Sequence, residues 1–409
     1  MPAGVSNKMK FAYAQLRVFC SVVAIVGAAL PLGCKKLLDN SKSGSDTQQG
    51  WDAANNPNNL LPQNSFLERR LDRLKMAAVV PNEKLPWSDS YWPNYRGGLA
   101  WRWNSANPGD FKNYALPTKD QVAKMSMRQR LELSPAEKYD ILTGNWNYPL
   151  VDYERKRNNP GDEKWRGLCN GWAAAAAHYK EPRPVVVNSA DGIQIPFGAS
   201  DIKALLAIYM AQFADGGVRL VGARCNTAAK AGWETTGDTG FPRGLSECQD
   251  VNPGSFHLIL ANYVGEWGQS VVGDLVNGTE VWNYPVYEYK SYILGEQPPT
   301  PGTAAPGTVR EVKLQTDVRL KIEIDPPNAH NFNETGQQDV GDHRISYQYF
   351  LELNAAGEII GGEWITPLHP DFLWTQPPAG DFKQYFSKLG ELYAASMRSN
   401  PTTDLLSLR

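Results

Sequence analysis

The stretch from Trp165 to Tyr179, WRGLCNGWAAAAAHY, constrains the fold more than any other part of this sequence. Its run of alanines, 173–177, predicts a helix, because alanine has the highest intrinsic helix propensity. Cys169 then lies at the helix N-terminus, where unpaired backbone N–H groups and the helix dipole favour a thiolate. The same N–H groups can donate hydrogen bonds to an oxyanion that forms when sulfur attacks a carbonyl carbon. Two interpretations follow: a catalytic thiol, or a buried structural cysteine before a packed helix.

The first 34 residues have the pattern of an export signal. Basic residues precede the apolar run 18–30, and Gly33-Cys34 ends this region in the manner of a bacterial lipobox. We therefore predict that Cys34 carries lipid and that the chain is held at the outer membrane or cell surface. An ordinary cleaved signal, giving a secreted protein, is the alternative. The apolar run is short for an uncleaved membrane span.

If the chain is exported, the five cysteines can be assigned separate roles, because disulfides form outside the cytosol. Cys20 leaves with the signal, and Cys34 would carry the lipid. Cys225 and Cys248 bracket a loop rich in Gly, Thr and Asp, so we predict a disulfide between them. Cys169 is then the unpaired thiol of an exported chain, which favours a chemical role.

Composition divides the rest of the chain into four further regions. Residues 35–65 are rich in Asn, Ser, Asp, Gly and Gln and lack apolar periodicity, which predicts a flexible tether. We predict a mainly helical and irregular N-terminal region over residues 66–144, a catalytic core over 145–375, and a helical tail over 376–409. Because helical patterns come first and antiparallel strand patterns follow, the sequence predicts an α+β fold.

Helix signals lie mainly in the first half of the chain. The amphipathic pattern of 66–79 predicts a helix, whereas Pro86–Trp103 is dense in Trp, Tyr, Pro and Arg and predicts an irregular segment lying on another surface. Ser134-Pro135-Ala136-Glu137 matches a capping box with proline at the first helical position. Ser200-Asp201 caps a further predicted helix, DIKALLAIYMAQF. A tail helix is predicted over about 382–398.

Strand signals dominate after residue 250. Residues 270–276 predict a strand that ends in a hairpin at Asn277-Gly278, with 280–294 as its partner. The apolar run 256–262 fits a strand and a short helix equally well. Alternating or apolar patterns predict the remaining strands at 185–187, 309–324, 345–353 and 358–364.

A thiol nucleophile needs a base, and the base needs an orienting group. His257 opens an apolar run and Asp274 follows on the next predicted strand, so we predict these two as base and orienting carboxylate. The order Cys, His, Asp suits a papain-like or transglutaminase-like core, with a helix packed on an antiparallel sheet. His343 and His369 are rival bases, because the C-terminal segment could reach the site. His178 lies on the nucleophile's own helix and points away from its N-terminus.

Other site residues are predicted around the nucleophile. Trp172, Trp165 and Trp282 are candidates to line an acyl-binding groove. The nucleophile's backbone N–H, together with Asn170 or Lys164, could form the oxyanion hole. The sequence has no HExxH, CxxC pair or EF-hand loop, so we predict no metal site and no cofactor. A net charge of −2 without a long basic stripe predicts no nucleic-acid partner.

One segment connects these residues to a known family. Val281–Val286, VWNYPV, followed by Tyr289-Lys290, resembles the V-W-N-Q-P-V elicitor peptide of the oomycete cell-wall transglutaminases, with Tyr284 in place of the usual glutamine. That family occurs in Phytophthora and relatives and in marine bacteria, and the lipoprotein leader fits the bacterial branch. The resemblance extends from about Pro86 to Trp374 through the motifs LCNGWA, FGASDIKALL, NPGSFHLILAN, GEIIGGEW and HPDFLW.

The resemblance implies protein-glutamine γ-glutamyltransferase activity on a core similar to papain-like cysteine proteases. Cys169 matches the family nucleophile, and His257 and Asp274 match positions that we interpret as base and orienter. The implied partners are proteins that carry glutamine and lysine side chains, and calcium dependence stays open. Two other functions fit the same residues: a papain-like cysteine peptidase with water as acceptor, and a non-catalytic surface protein that a host recognises through VWNYPV.

Overall fold

An antiparallel sheet carries most of the fold in this computed structural model, which describes residues 51–223, 250–278, 280–325, 340–378 and 380–399. All of these residues belong to one unit, Gln48–Arg409. The described strands are β1 (Ala77–Val79), β2 (Val185–Asn188), β3 (Gln194–Phe197), β4 (Arg219–Gly222), β5 (Val271–Asp274), β6 (Tyr284–Gln297), β7 (Arg310–Lys321), β8 (Asp342–Leu353), β9 (Ile359–Trp364) and β10 (Phe372–Thr375). Eight of these strands form the main sheet, in the order β4-β10-β5-β6-β7-β8-β9 with β1 beside β6, while β2 and β3 pair separately.

Helices begin where the sequence supplies caps. Thr118, Ser126 and Ser134 each accept a hydrogen bond from the backbone three residues on, and each completes a capping box. The described α-helices are α1 (Lys119–Lys124), α2 (Met127–Leu131), α3 (Pro135–Leu142), α4 (Pro149–Arg157), α5 (Cys169–His178), α6 (Ala199–Gln212), α7 (Pro253–Leu260) and α8 (Leu389–Arg398). The predicted α+β class is therefore confirmed, and the alanine run forms α5 as predicted.

The main sheet separates two hydrophobic cores. Side chains alternate along a strand, so neighbours in β5 and β10 enter opposite cores. We call the two sides the Cys169 face and the His257 face. The Cys169 face, against which α5 packs, buries Val272, Phe372 and Trp374 with Cys169 and Trp172. The His257 face, against which α7 packs, buries Val271, Leu275 and Leu373 with Phe256 and Leu258.

The aromatic segment before α1 lies along α5, as the sequence predicted for an irregular stretch. Trp87 donates its indole N–H to the Tyr179 carbonyl at 2.9 Å, and Trp172 donates to the Trp87 carbonyl at 3.2 Å. At the other end of the helix, the Leu168 N–H donates to the Tyr91 carbonyl at 2.6 Å. These bonds hold the residue that precedes Cys169 in a fixed position.

Several local predictions are confirmed and refined. The capping box at Ser134 starts α3, and β8 and β9 form the predicted hairpin. The run 256–262, which fitted a strand or a helix, is helical: α7 continues into a π-helical turn, Ala261–Glu266. The helix predicted from Ser200-Asp201 begins at Ala199, because the Asp201 carboxylate accepts the Gly198 N–H at 2.7 Å.

Two local predictions are wrong. Residues 66–79 are not an amphipathic helix, because Leu71 and Leu74 enter the His257-face core while β1 pairs with β6. Asn277-Gly278 is not a two-residue hairpin. Asn277 instead donates its backbone N–H to the His369 carbonyl at 2.8 Å, and the chain runs on before β6 pairs with β5.

Some predictions fall on residues that the structure does not describe. Cys34, Cys225 and Cys248 lie outside the described residues, so the lipid anchor and the disulfide stay predictions. Within the described ranges, no helix combines the length and apolar character needed to cross a membrane. Those ranges also contain no cluster of His, Cys, Asp and Glu side chains that could hold a metal ion.

Candidate active site

Cys169 is the first residue of α5, and its side chain is 7% exposed. Its Sγ lies 3.4 Å from the Asn283 side-chain nitrogen and 3.7 Å from the Val281 carbonyl oxygen. The helix reaches this depth because Gly171 allows close contact with α6. A methyl group at Gly171 would lie only 2.0 Å from the Ala207 carbonyl oxygen. The alanine-rich sequence thus places the sulfur under the loop that joins β5 to β6.

Asn283 connects the sulfur to the sheet. The Trp374 indole N–H donates to the Asn283 side-chain oxygen at 2.7 Å, and both residues are buried. An indole N–H can only donate, so the amide oxygen must face Trp374 and the amide N–H groups must face the sulfur. The Asn283 backbone N–H also acts on the Cys169 thiol and lowers its pKa. One residue therefore directs two donors toward the thiol.

Two carboxyl groups lie close enough to affect the thiol. Asp274 ends β5 on the Cys169 face and is 2% exposed, while Glu323 follows β7 and lies near enough to Tyr284 for each to shift the pKa of the other. Burial raises the pKa of the Cys169 thiol, the bonds from Asn283 lower it, and the charges of Asp274 and Glu323 raise it further. The two N–H groups of Asn283 thus lower the pKa of the thiol, whereas desolvation and two negative charges raise it. The net effect is a raised pKa.

Aromatic rings surround the sulfur on its outer side. Tyr284 stacks on Trp282 with ring centres 6.5 Å apart and planes 6° from parallel, and it meets Trp172 edge-on at 6.5 Å. Tyr91 meets Trp282 edge-on at 5.2 Å. Burial, followed by the charge of Glu323, raises the pKa of Tyr284, so its hydroxyl stays protonated and can donate. Tyr284, which replaces the glutamine of the elicitor motif, is therefore part of the site.

The prediction that His257 is the base is wrong. His257 lies in α7 on the His257 face, across the sheet from Cys169, and it is fully buried. Its Nδ1 is 2.8 Å from the Tyr349 hydroxyl, and burial lowers its pKa to about 4. A histidine in this position is neutral at physiological pH and contacts no atom of the thiol site. Asp274, by contrast, lies on the Cys169 face, where its charge acts on the thiol.

Comparison with known proteins agrees with this geometry. A family model described as transglutaminase elicitor matches residues 154–395. The chain belongs to the transglutaminase elicitor family. The structure also matches the crystal structure of the GP42 transglutaminase from Phytophthora sojae with a TM-score of 0.59 and 22% sequence identity, covering 81% of this chain and 94% of that one. This likeness shows a shared fold. No curated protein matches the sequence.

The other histidines of this transglutaminase elicitor chain lie elsewhere. His369 holds the Asp250 carboxylate at 2.8 Å, and His343 is exposed on β8. His178 ends α5 and hydrogen-bonds the Gln376 backbone, and burial lowers its pKa. None of the four described histidines bonds the Cys169 sulfur, and His330 lies outside the described residues.

The residues predicted to contact substrate differ in how far the structure buries them. Trp172 is fully buried, with its N–H bonded to the Trp87 carbonyl and its ring edge-on to Tyr284, so its place in the wall of an acyl-binding groove stays a prediction. Trp282, Trp165 and Asn170 are partly exposed near the start of α5 or beside Tyr284 and stay candidates for substrate contact.

Sequence reasoning missed four residues of the site: Asn283, Tyr284, Glu323 and Trp374. A signal existed for the first two, which belong to the VWNYPV segment. Glu323, just after β7, and Trp374, on β10, lie far along the chain, and only the sheet register brings them to the thiol.

Proposed function

We propose that this transglutaminase-like protein is a protein-glutamine γ-glutamyltransferase, which forms Gln–Lys isopeptide crosslinks through a thioester on Cys169. The observation that carries the proposal is the thiol at the N-terminus of α5, within reach of two N–H donors from Asn283. A thiolate at such a helix N-terminus can attack an amide carbonyl carbon, and neighbouring N–H groups stabilise the resulting oxyanion. Membership of the transglutaminase elicitor family supports glutamine as the acyl donor.

In the acylation step, the Cys169 thiolate attacks the side-chain carbonyl carbon of a substrate glutamine. The C–S bond forms while the π pair of the carbonyl moves to oxygen. The carbonyl then re-forms, the C–N bond breaks, and the nitrogen takes a proton and leaves as ammonia. In the second step, a lysine amine attacks the thioester carbon and loses a proton, and the C–S bond breaks to regenerate the thiolate.

These steps need a group that gives and takes protons. Among the described residues, Asp274 and Glu323 are the carboxyl groups whose charges act on Cys169. Burial raises the pKa of Glu323 above its ordinary value, which favours proton uptake by this carboxyl group. We assign Glu323 the role of proton carrier, and we assign no proton-transfer step to Asp274, whose charge raises the pKa of the thiol.

The burial of the VWNYPV segment supports a role inside an enzyme. Val281, Asn283, Pro285 and Val286 are buried in the folded chain, and the two aromatic residues are only partly exposed. A host receptor that reads this segment would therefore contact little of it in the intact fold. Its asparagine instead contacts the nucleophile directly.

Ammonia release from a glutamine-containing donor peptide, with and without a primary amine, tests the proposal. A transglutaminase releases ammonia and incorporates the amine, whereas a glutaminase releases ammonia without incorporation and a peptidase cleaves the peptide backbone. Cys169→Ser should fold and lose activity by several orders of magnitude, because serine is a poor nucleophile in a site built for a thiolate. Backbone cleavage, or retention of most of the activity in Cys169→Ser, would refute the assignment.

We further propose that the enzyme acts outside the cell, anchored by lipid at Cys34. Only the signal-like pattern before that residue supports this location. Proteins of the cell surface that present glutamine and lysine side chains would then be its substrates.

A further inference from the structure

Asn283 is a buried polar residue that joins Trp374 of the sheet to the Cys169 sulfur. It is 5% exposed, and its side chain bonds only Trp374 on one side and the Cys169 sulfur on the other among the hydrogen bonds of the described residues. A polar side chain buried against a nucleophile costs free energy unless its hydrogen bonds are made. Here those bonds end on the sulfur that the proposed reaction uses.

We propose that Asn283 is the catalytic residue that stabilises negative charge at this site, first on the Cys169 thiolate and then on the oxyanion of the tetrahedral intermediate, and that Trp374 is the positioning residue that keeps its amide N–H groups aimed at the sulfur. This inference rests on the proposed function. When sulfur attacks, the new C–S bond and the C–O⁻ share one carbon, so a donor beside the sulfur is also beside the oxyanion. The charge moves from sulfur to oxygen, and no further reactant is required.

The strands fix this arrangement. Tyr284 pairs with Gly273, which sets the position of Asn283 immediately before β6. Trp374 pairs with Val272 on the other side of β5, and its side chain enters the same face. The donor and its orienter are therefore held by the two strands that flank β5 in one sheet, which is more precise than a site held by a free loop.

Trp374 decides which end of the amide meets the thiolate. With the indole N–H donating to the amide oxygen, the N–H groups face the sulfur. If the amide turned over, its oxygen would face a thiolate and its N–H groups would face another donor, so both contacts would be lost. Burial raises the pKa of Cys169 overall, and the bonds from Asn283 are the contributions that lower it.

The main test uses Asn283→Asp, which keeps the size of the side chain and can still accept from Trp374. The remaining carboxylate oxygen then faces the sulfur in place of the N–H donors. The rate of Cys169 alkylation by iodoacetamide against pH reports the thiolate, and kcat for ammonia release reports the oxyanion. The alkylation limb is the pH range over which the alkylation rate rises as the thiol becomes a thiolate. We expect this limb to move to higher pH, and we expect kcat to fall by about 10²- to 10³-fold, as for loss of an oxyanion donor. Trp374→Phe, which removes the N–H but keeps the ring, should change both in the same direction and less.

Matched controls come from the other face of the sheet. Asn262 is also buried and bonds the backbone at Glu68 and Leu258, and Trp364 donates to the Val251 carbonyl. Asn262→Asp and Trp364→Phe should lower stability without moving the alkylation limb. If Asn283→Asp fails to fold, Asn283→Ala and Asn283→Gln are measured, and the amide of glutamine should restore part of the activity that alanine loses.

Outcomes that overturn the proposal are specific. If Asn283→Asp and Trp374→Phe leave the limb and kcat unchanged, as their controls do, Asn283 is only structural. If the limb moves and kcat does not, the oxyanion part is wrong. If the wild type releases no ammonia from any glutamine donor while the limb still moves, the proposed function fails and the thiolate part stands, because alkylation needs no substrate.

Discussion

Replacing His257 by glutamine should remove a large pH dependence from the stability of this protein. His257 is fully buried on α7, and only its Nδ1 has a hydrogen-bond partner among the described residues, the Tyr349 hydroxyl. Glutamine can keep one polar contact with Tyr349 but cannot take up a proton. The variant therefore isolates the effect of the imidazole charge, beyond a loss of packing that does not vary with pH.

The magnitude follows from the pKa of His257, which burial lowers from 6.5 to about 4. Between these pH values the unfolded chain binds a proton that the folded chain does not, so stability rises with pH. At about 1.4 kcal/mol per pKa unit, this group contributes about 3 kcal/mol that is fully present above pH 6.5 and lost as the pH falls to about 4. The imidazolium cannot be hydrated in this core, which is the physical reason.

Other buried groups change the stability in the opposite direction. Burial raises the pKa of Asp89 to about 6 and that of Asp140 to about 7, so the folded chain holds their protons where the unfolded chain has lost them. Their contribution falls as the pH rises, which masks His257 in the wild-type profile. The informative quantity is therefore the difference between the wild type and His257→Gln, in which these terms cancel.

Urea unfolding of both proteins at several pH values between 4 and 8 measures that difference. His257→Gln should be less stable near neutral pH, and the gap should shrink by about 3 kcal/mol toward pH 4. A gap that stays constant would refute the argument from burial. The alkylation profile of Cys169 should be unchanged in this variant; a shift would instead restore His257 as the base. Alanine variants of the other four histidines complete that series.

Four further predictions follow from the site and from the sequence. Gly171→Ala should destabilise the chain by about 1–3 kcal/mol in urea unfolding, because the clash with α6 outweighs the gain of about 1 kcal/mol in helix propensity. Glu323→Gln should speed alkylation of the thiol at neutral pH by removing a negative charge and slow ammonia release, and no change in either rate would contradict its assignment. Cys225 and Cys248 should appear as one linked pair in non-reducing peptide maps of exported protein, not as free thiols. Cys34→Ala should release the protein from the membrane fraction or leave the precursor uncleaved.

Local sequence signals predicted the nucleophile helix because its causes are local. The alanine run sets the helix, and Gly171 permits the close packing that buries Cys169. The hairpin of β8 and β9 was predictable for the same reason, since its turn and both strands are adjacent in sequence. Asp274 was predictable as a polar residue in an apolar strand, which needs a partner or a function.

The rest depends on contacts between distant segments. The orientation of the Asn283 amide depends on the hydrogen bond from Trp374, which lies two strands away in the sheet and far along the chain. Residues 66–79 do not form the predicted helix, because the end of this segment, β1, pairs with β6. Neither outcome can be read from periodicity, because tertiary pairing outweighs local propensity when it buries more apolar surface.

The order Cys, His, Asp in the sequence suggested His257 as the base, but a sheet has two faces and the order does not say on which face each residue lies. A helix that follows a strand can pack on either side, and the apolar run of α7 offers no residue that selects one. Here it packs on β8 and β9, where His257, Tyr349, Thr316 and Ser291 form a buried hydrogen-bonded chain. Cys169, Asn283 and Trp374 form a separate network across the sheet. The two networks share no residue, so a chain can carry a nucleophile, a histidine and an aspartate in catalytic order although the first two never meet.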